Sequence, residues 1–267
     1  MITVLGAGGF IGSHLVKLLK ARDIEYYGPS RDEKLGKTSL GDIIYCIGLT
    51  ADFRQKPFET VEAHVCRLAS ILQFCDFNSL TYLSSARVYI NCKQKKVDES
   101  TVLPVDISDS DELYTLTKLT GERICLSSGK KVRIVRLSNV YSNDLEQESF
   151  ITEIINTISS KKEISFNLSL SSGKDYVPVE DAADLIVSIA TGGKEAIYNV
   201  ASGQNTTNEA IINELKKYFN FSVDMSRANK EILFPEIDIA RIKNEFNYVP
   251  SDILNSISNL INTSKNV

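Results

Sequence analysis

An α/β fold on a doubly wound parallel sheet is what this sequence predicts, and three observations predict it. A short β-branched, apolar run, Met1-Ile2-Thr3-Val4-Leu5, is followed at once by a glycine-rich segment, Gly6-Ala7-Gly8-Gly9-Phe10-Ile11-Gly12. Behind the glycines Ile11, Leu15, Val16, Leu18 and Leu19 recur at helical spacing, so strand, tight turn and helix follow one another. Short apolar runs and helical patterns then go on alternating along the chain, which is how a parallel sheet with crossover helices reads.

The glycine segment carries chemistry because of what glycine permits. It allows the tight turn and lets backbone N–H groups approach a pyrophosphate closely, while the positive end of the following helix holds the anion. Gly6, Gly9, Phe10, Ile11 and Gly12 are therefore candidate cofactor-binding residues. The spacing is G-x-x-G-x-x-G; the stricter G-x-G-x-x-G form fails because position 11 is Ile. A glycine turn with no ligand is the alternative.

The chain has 267 residues, enough for one large domain or one domain with a small lobe. Apolar residues make up 43% and charged residues 24%, as in an ordinary globular protein. A net charge of −4 gives no electrostatic footprint for nucleic acid. No apolar run approaches the ~20 residues of a membrane span. With strand expected from the first residues, no signal peptide and a cytoplasmic location are expected. The five cysteines (Cys46, Cys66, Cys75, Cys92 and Cys125) are odd in number and form no C-x-x-C pair, so reduced and mostly buried thiols are expected. The two histidines, His14 and His64, are too few for a typical zinc site.

Ile24-Glu25-Tyr26-Tyr27-Gly28 reads as the second strand. An acid at its end would bond the adenosine ribose hydroxyls of NAD, whereas Ser and Arg suit the 2′-phosphate of NADP. The chain offers Ser30-Arg31, with Asp32 only afterwards. NADP(H) is the expected cofactor, NAD(H) the alternative, and a solvated Arg31 the bland reading. The next strand, Ile43 to Ile47, comes so soon that a further βα unit barely fits. Gly48 ends it where a cofactor would cross. The polar segment Leu49 to Pro57, with Asp52, Arg54 and Lys56, lies at a strand's carboxyl end, where open sheets bind ligands. Phe58, Val61, Val65, Leu68, Ala69, Leu72 and Cys75 then mark one long amphipathic helix over 58–77.

Leu80 to Ser85 is a strand ending in two serines, and Lys93, Lys95 and Lys96 belong to a solvated loop after it. Asp109, Asp111 and Glu112 favour a helix start by charge–dipole attraction. The helix expected over 111–127 carries Tyr114 and Lys118 four residues apart, on one face. Farther on, Phe150, Ile151, Ile154, Ile155 and Ile158 share a helical face, Thr206 to Glu209 reads as a capping box, and a last helix covers about 253–261.

Six segments in order resemble the extended short-chain dehydrogenase/reductase family, in particular its nucleotide-sugar branch of epimerases, dehydratases and 4-ketoreductases. They are Gly6–Gly12, Ser84-Ser85-Ala86-Arg87-Val88-Tyr89, Tyr114–Glu122, Arg136–Tyr141, Lys174–Asp181 and Tyr198–Gly203. The resemblance implies a Rossmann-like sheet over 1–145, and over 146–267 mainly a small C-terminal α/β substrate lobe whose late elements can return to the main sheet. It implies Ser85, Tyr114 and Lys118 as catalytic residues. Gly48 and Val140 join the cofactor site, with Tyr114 and Lys118; Ser85, Arg87, Asn139 and Lys174 face the nucleotide-sugar substrate. A homodimer paired through helices 58–77 and 111–127 is also implied, with Phe74, Leu116 and Leu126 as apolar candidates.

In the implied mechanism Ser85 hydrogen-bonds the substrate carbonyl and Tyr114 passes the proton as hydride moves at the nicotinamide. Lys118 binds the nicotinamide ribose, and its ammonium is expected to lower the phenol pKa. Related dehydratases carry acids after the serine, and 3,5-epimerase/reductases a cysteine two residues on; here the pair is Ala86-Arg87. An always-protonated Arg is a poor proton shuttle, so dehydration and 3,5-epimerisation lose support; ketone reduction or C4 epimerisation needs only Ser85, Tyr114 and Lys118, and Ser30-Arg31 favours reduction. The sequence thus points to NADPH-dependent reduction of a nucleotide-linked 4-keto-6-deoxy sugar. An NAD-dependent 4-epimerase is the alternative; a non-catalytic NADP-binding sensor is disfavoured because Tyr114 and Lys118 are both kept. Arg87 reads equally as an ion-pair partner. His64 stands where the family often has Asn and reads as a core or supporting residue. Lys174 replaces a diphosphate-binding Arg, keeping the charge without the fork.

Overall fold

The computed structural model describes residues 1–31, 33, 35, 39–50, 52–109, 111–147, 149–228 and 230–264. β1 (Ile2–Leu5) runs through the glycine turn into α1 (Phe10–Ala21). β2 is only Tyr26–Tyr27, and β3 is Asp42–Tyr45. Among the described residues between them there is no helix or strand, so this part of the fold is trimmed as the spacing suggests. The helix expected over 58–77 is interrupted: α2 (Pro57–Val61) and α3 (Arg67–Phe74) flank a single π turn, Glu62–Cys66. β4 (Ser79–Ser85) leads through a 3₁₀ turn (Ala86–Tyr89) and β5 (Lys96–Val97) to α4 (Glu112–Ser127).

β6 (Val132–Leu137) and β7 (Asn139–Tyr141) precede α5 (Phe150–Lys161), β8 (Glu163–Ser165), β9 (Gly173–Pro178) and α6 (Val179–Gly192). β10 (Ile197–Val200), β11 (Asn205–Thr207), α7 (Asn208–Lys216), β12 (Ser222–Asp224), β13 (Glu236–Ile237), α8 (Ala240–Phe246) and α9 (Ile253–Ser264) complete the order. The α7 cap is Thr207, whose side chain accepts from Ala210 N, and not Thr206, which is drawn into β11 by pairing with Lys174.

Six strands form one parallel sheet in the order β10-β6-β4-β3-β1-β2. Helices cover both faces. On one, Leu15 and Leu19 of α1 and Ile186 and Ile189 of α6 pack with Val4, Ile44 and Val135; on the other, Leu68 and Leu72 of α3 and Cys125 of α4 pack with Ile43, Tyr45, Leu80 and Tyr82. A third apolar cluster joins α5, α7 and α9 through Ile154, Ile158, Ile211, Leu215 and Ile257. β9 lies between β7 and β11 in a separate three-stranded sheet. The cysteines are free, but of the five only Cys125 is buried and Cys66 is exposed, fewer buried than expected.

A buried polar network braces β4 against α4. Glu122 and Arg136 pair through two hydrogen bonds, at 3.0 and 2.7 Å, and Ser84 Oγ donates to Glu122 at 2.6 Å. At the outer strand β10, Arg241 donates to the Ile197 carbonyl and Asn199 N donates to the Glu99 carboxylate. Arg241 and Glu99 stand 3.8 Å apart as an ion pair.

Candidate active site

The site lies where the direction of winding reverses, between the carboxyl ends of β1 and β3, the place where open α/β sheets bind ligands. Gly6 has φ +89°, and a side chain there would meet the Cys46 backbone at 3.1 Å. A Cβ on Gly12 would overlap the Gly6 carbonyl, so only glycine lets α1 pack this close to the turn. Gly9 N donates to Gly6 O at 3.0 Å, and no side chain caps α1. Uncapped N–H groups over a glycine cradle suit a pyrophosphate. Phe10 and Ile11 begin the helix, and the Phe10 ring sits edge-on to His14.

At the end of β2 the picture is mixed. Arg31 is exposed, and Arg67 donates to its carbonyl at 3.2 Å, which brings a second guanidinium to this loop. Glu33 folds back to accept from Ser30 N at 3.0 Å and from the Tyr27 hydroxyl. An acid thus does reach the strand end, from farther along the chain than the sequence suggested. Asp32 lies outside the described residues.

Ser85 closes β4, and its Oγ accepts from Arg87 N at 3.2 Å, capping the 3₁₀ turn. Tyr114 and Lys118 come from α4, both buried. Lys118 Nζ donates to the Leu83 carbonyl at 2.9 Å and stands 5.9 Å from the Tyr114 ring centroid. Burial pulls its pKa down to about 8, with the Glu122 carboxylate opposing. The expectation that Lys118 lowers the Tyr114 pKa needs correcting. Burial raises the phenol above its ordinary value, and the opposing groups are the Ser85 side chain and the Arg87 charge. A shared helical face brings the ammonium near the ring, but Lys118 spends its hydrogen bond on the strand.

His64 is the residue the sequence left undecided. The π turn swings it under Tyr114, ring to ring at 5.4 Å and 88°. Its Nε2 accepts from Leu49 N at 3.2 Å, which leaves the proton on Nδ1, 2.8 Å from Thr117 Oγ1. Thr117 Oγ1 donates in turn to the Tyr114 carbonyl at 2.9 Å. Burial, with Lys118 adding to it, holds the imidazole neutral by lowering its pKa to about 3. His64 is therefore a supporting residue that fixes α4 and the start of the 49–57 segment. Gly48 is needed here for space: a Cβ would stand 3.1 Å from His64 Nε2 and 3.5 Å from Lys118 Nζ.

Described residues of the 49–57 segment pack against Tyr114 and the start of α4. Phe53 is buried with its ring 5.4 Å from that of Tyr114. Arg54 holds Asp111, at the start of α4, through two bonds of 2.5 and 2.6 Å. Neither contact is visible in local sequence. Arg87 Nη2 is 3.8 Å from Asp111, and its buried Nε has no partner among the described residues. Lys174, half-buried in β9, is pulled down in pKa by burial and by the Arg87 charge. Asn139 is exposed, and its side-chain amide donates to the Asp175 carbonyl at 2.9 Å, tying β7 to β9; Val140 pairs with Val177. The Asp175 carboxylate is structural, taking the N–H groups of Ser202, Gly203 and Gln204.

The model of the NAD dependent epimerase/dehydratase family matches residues 2–63 and 41–201. The chain belongs to that family. As a member it is a nicotinamide-cofactor enzyme. Among curated proteins none matches. Solved structures with the same fold include MoeE5 in complex with UDP-glucose and NAD, at 15% identity and TM-score 0.78 over 99% of this chain and 98% of that one. RMD from Pseudomonas aeruginosa complexed with NADPH is 17% identical, TM-score 0.77, over 98% of each chain. UDP-glucose 4-epimerase from Thermotoga maritima with UDP-glucose is 16% identical, TM-score 0.76, over 99% of this chain and 98% of that one. Among the described residues no helix is long and apolar enough to cross a membrane.

Proposed function

We propose that this family member reduces the 4-keto group of a nucleotide-linked 4-keto-6-deoxy sugar, with NADPH as the reductant. The observation that carries the reading is the set Ser85, Tyr114 and Lys118 beside Arg87, with no acid next to Ser85 to drive loss of water. The cradle of Gly6, Gly9 and Gly12 with the start of α1 suits the cofactor's pyrophosphate, Arg31 with Ser30 its 2′-phosphate, and Gly48, Lys118 and Val140 its nicotinamide half. Bound there, the cofactor supplies hydride. Ser85 donates a hydrogen bond to the substrate carbonyl oxygen. Tyr114, kept as a phenol by burial, holds the proton that the new alkoxide takes. Arg87 and Lys174 face the anionic part of the substrate, and Asn139 lines the same side.

A second reading, an NAD-dependent 4-epimerase, is favoured by one observation, the Glu33 carboxylate at Ser30 N. The discriminating experiment offers the protein 4-keto-6-deoxy sugars on dTDP, CDP, GDP and UDP with NADPH and follows absorbance. Oxidation of NADPH by one member supports the reductase. Tightly co-purifying NAD with no NADPH oxidised by any member would favour the epimerase. The reading includes a homodimer: of the candidates Phe74, Leu116 and Leu126 on α3 and α4, Phe74 is 75% and Leu126 39% exposed, while Leu116 is half-buried. A monomer mass by light scattering at micromolar protein would reject it.

A further inference from the structure

A cleft of about 650 Å³ opens between α1, α6 and the end of α8 with the turn after it. It lies on the face of the sheet that α1 and α6 cover, whereas Tyr114 and Lys118 belong to α4 on the other face. The volume falls within the roughly 300–1,000 Å³ of small-molecule sites. Leu18, Leu185, Phe246 and Val249 give it apolar walls, and Val249, the most open of them, is 81% exposed.

His14 lines this cleft although it is only 9% exposed. Its Nδ1 stands 2.9 Å from the Phe10 carbonyl, which can only accept, so Nδ1 carries the proton. In the neutral ring Nε2 is then an acceptor. Nε2 makes no hydrogen bond among the described residues and is not sealed from solvent, so its lone pair is left for a donor in the cleft.

The charged groups ask for a donor as well. Of the three acids that line the cleft, Asp184 is taken by Arg22. Glu180 receives the Asn143 amide at 3.3 Å, and Asp181 receives the hydroxyls of Ser251 and Tyr248 at 2.8 and 3.4 Å. Neither has an ion-pair partner among the described residues. The positive end of α6 suits both acids, yet with Lys17 as the only other charged lining group one negative charge is left over.

We propose that this cleft is a second ligand site, separate from the reacting crevice, and that it takes an organic ammonium on an apolar body. The ammonium donates to His14 Nε2 and to the Glu180 and Asp181 carboxylates, and the apolar body covers Leu18, Phe246 and Val249. A carboxylate on the same body would meet the two acids and a lone pair instead, so the site discriminates by sign of charge.

The probes are tryptamine, tryptophol and indole-3-propionate, which share an indole and carry an ammonium, a hydroxyl and a carboxylate. The chain has no tryptophan, so with excitation at 295 nm the probe is the only indole whose anisotropy is read. Tryptamine is expected to bind, tryptophol about 3- to 10-fold more weakly, and indole-3-propionate more weakly still. Glu180→Gln, an exposed change, should weaken tryptamine about 3- to 10-fold and leave tryptophol nearly unchanged. Ala21→Phe, at an exposed position of the cleft wall, should block all three while the circular dichroism spectrum is kept. Excess NADP with UDP should leave tryptamine bound. Absence of tryptamine binding would overturn the proposal, as would equal binding of the three probes or full binding in Ala21→Phe. Displacement by NADP with UDP would overturn it by placing the probe in the reacting crevice. An affinity that falls as protein concentration rises would overturn it in favour of a second copy of the chain in the cleft.

Discussion

Replacing Lys118 by methionine should make this protein more stable and inactive. The lysine is buried, and burial takes its pKa from the ordinary 10.5 to about 8. At about 1.4 kcal/mol for each tenfold change in proton affinity, the folded state carries a cost of about 3 kcal/mol while the ammonium is charged. Above pH 8 the folded protein releases that proton, whereas the unfolded chain keeps it up to 10.5. The unfolded state then binds more protons, so stability rises with pH through this window. Methionine removes the cost at every pH but also the hydrogen bond to the Leu83 carbonyl, worth about 1 kcal/mol. The net gain at pH 7 is about 2 kcal/mol, or roughly 4–8 °C in melting temperature for a chain of this size. Urea unfolding followed by circular dichroism at pH 7 and pH 10 measures it. The gain should be present at pH 7 and nearly gone at pH 10. A variant no more stable than the parent at pH 7, or a gain undiminished at pH 10, would refute the reasoning.

Tyr114→Phe should lower turnover about 10²- to 10⁴-fold while NADPH binding, read by fluorescence, is retained. Arg31→Ala should weaken NADPH use about 10- to 100-fold, the value of a charge-assisted bond to phosphate, and leave NADH use nearly unchanged; equal effects on both would mark Arg31 as a solvated loop residue. Glu122→Ala strands Arg136 in the interior and should cost about 3–5 kcal/mol, seen as a lower urea midpoint. The His64 imidazole should keep its neutral proton NMR shift from pH 8 down to pH 5; a midpoint inside that range would contradict the buried hydrogen-bonded ring.

The features legible in the sequence are the local ones. A glycine turn between a strand and a helix, a strand ending in Ser84-Ser85, and a Tyr-Lys pair four residues apart each need only a short window. The apolar stripe from Phe58 to Cys75 gave the helix but hid its π turn, because one added residue barely disturbs the periodicity while turning His64 toward Tyr114. The Arg54–Asp111 clamp joins residues 57 apart, and nothing in either neighbourhood announces it. The Tyr114 phenol shows the limit of spacing arguments: a shared face placed Lys118 nearby, but burial and the direction of the Lys118 hydrogen bond decide the proton affinity.

The outer strand β10 has a bearing on how this protein survives at high concentration. The outer strand of an open sheet offers bare N–H and C=O groups to any passing chain, and such edges seed fibrils and tangled oligomers. Here the outward Ile197 carbonyl is taken by Arg241 and the outward Asn199 N–H by Glu99. A foreign strand would have to displace a charged pair before it could add to the sheet. The opposite edge, β2, is two residues long and gives a docking strand little to hold.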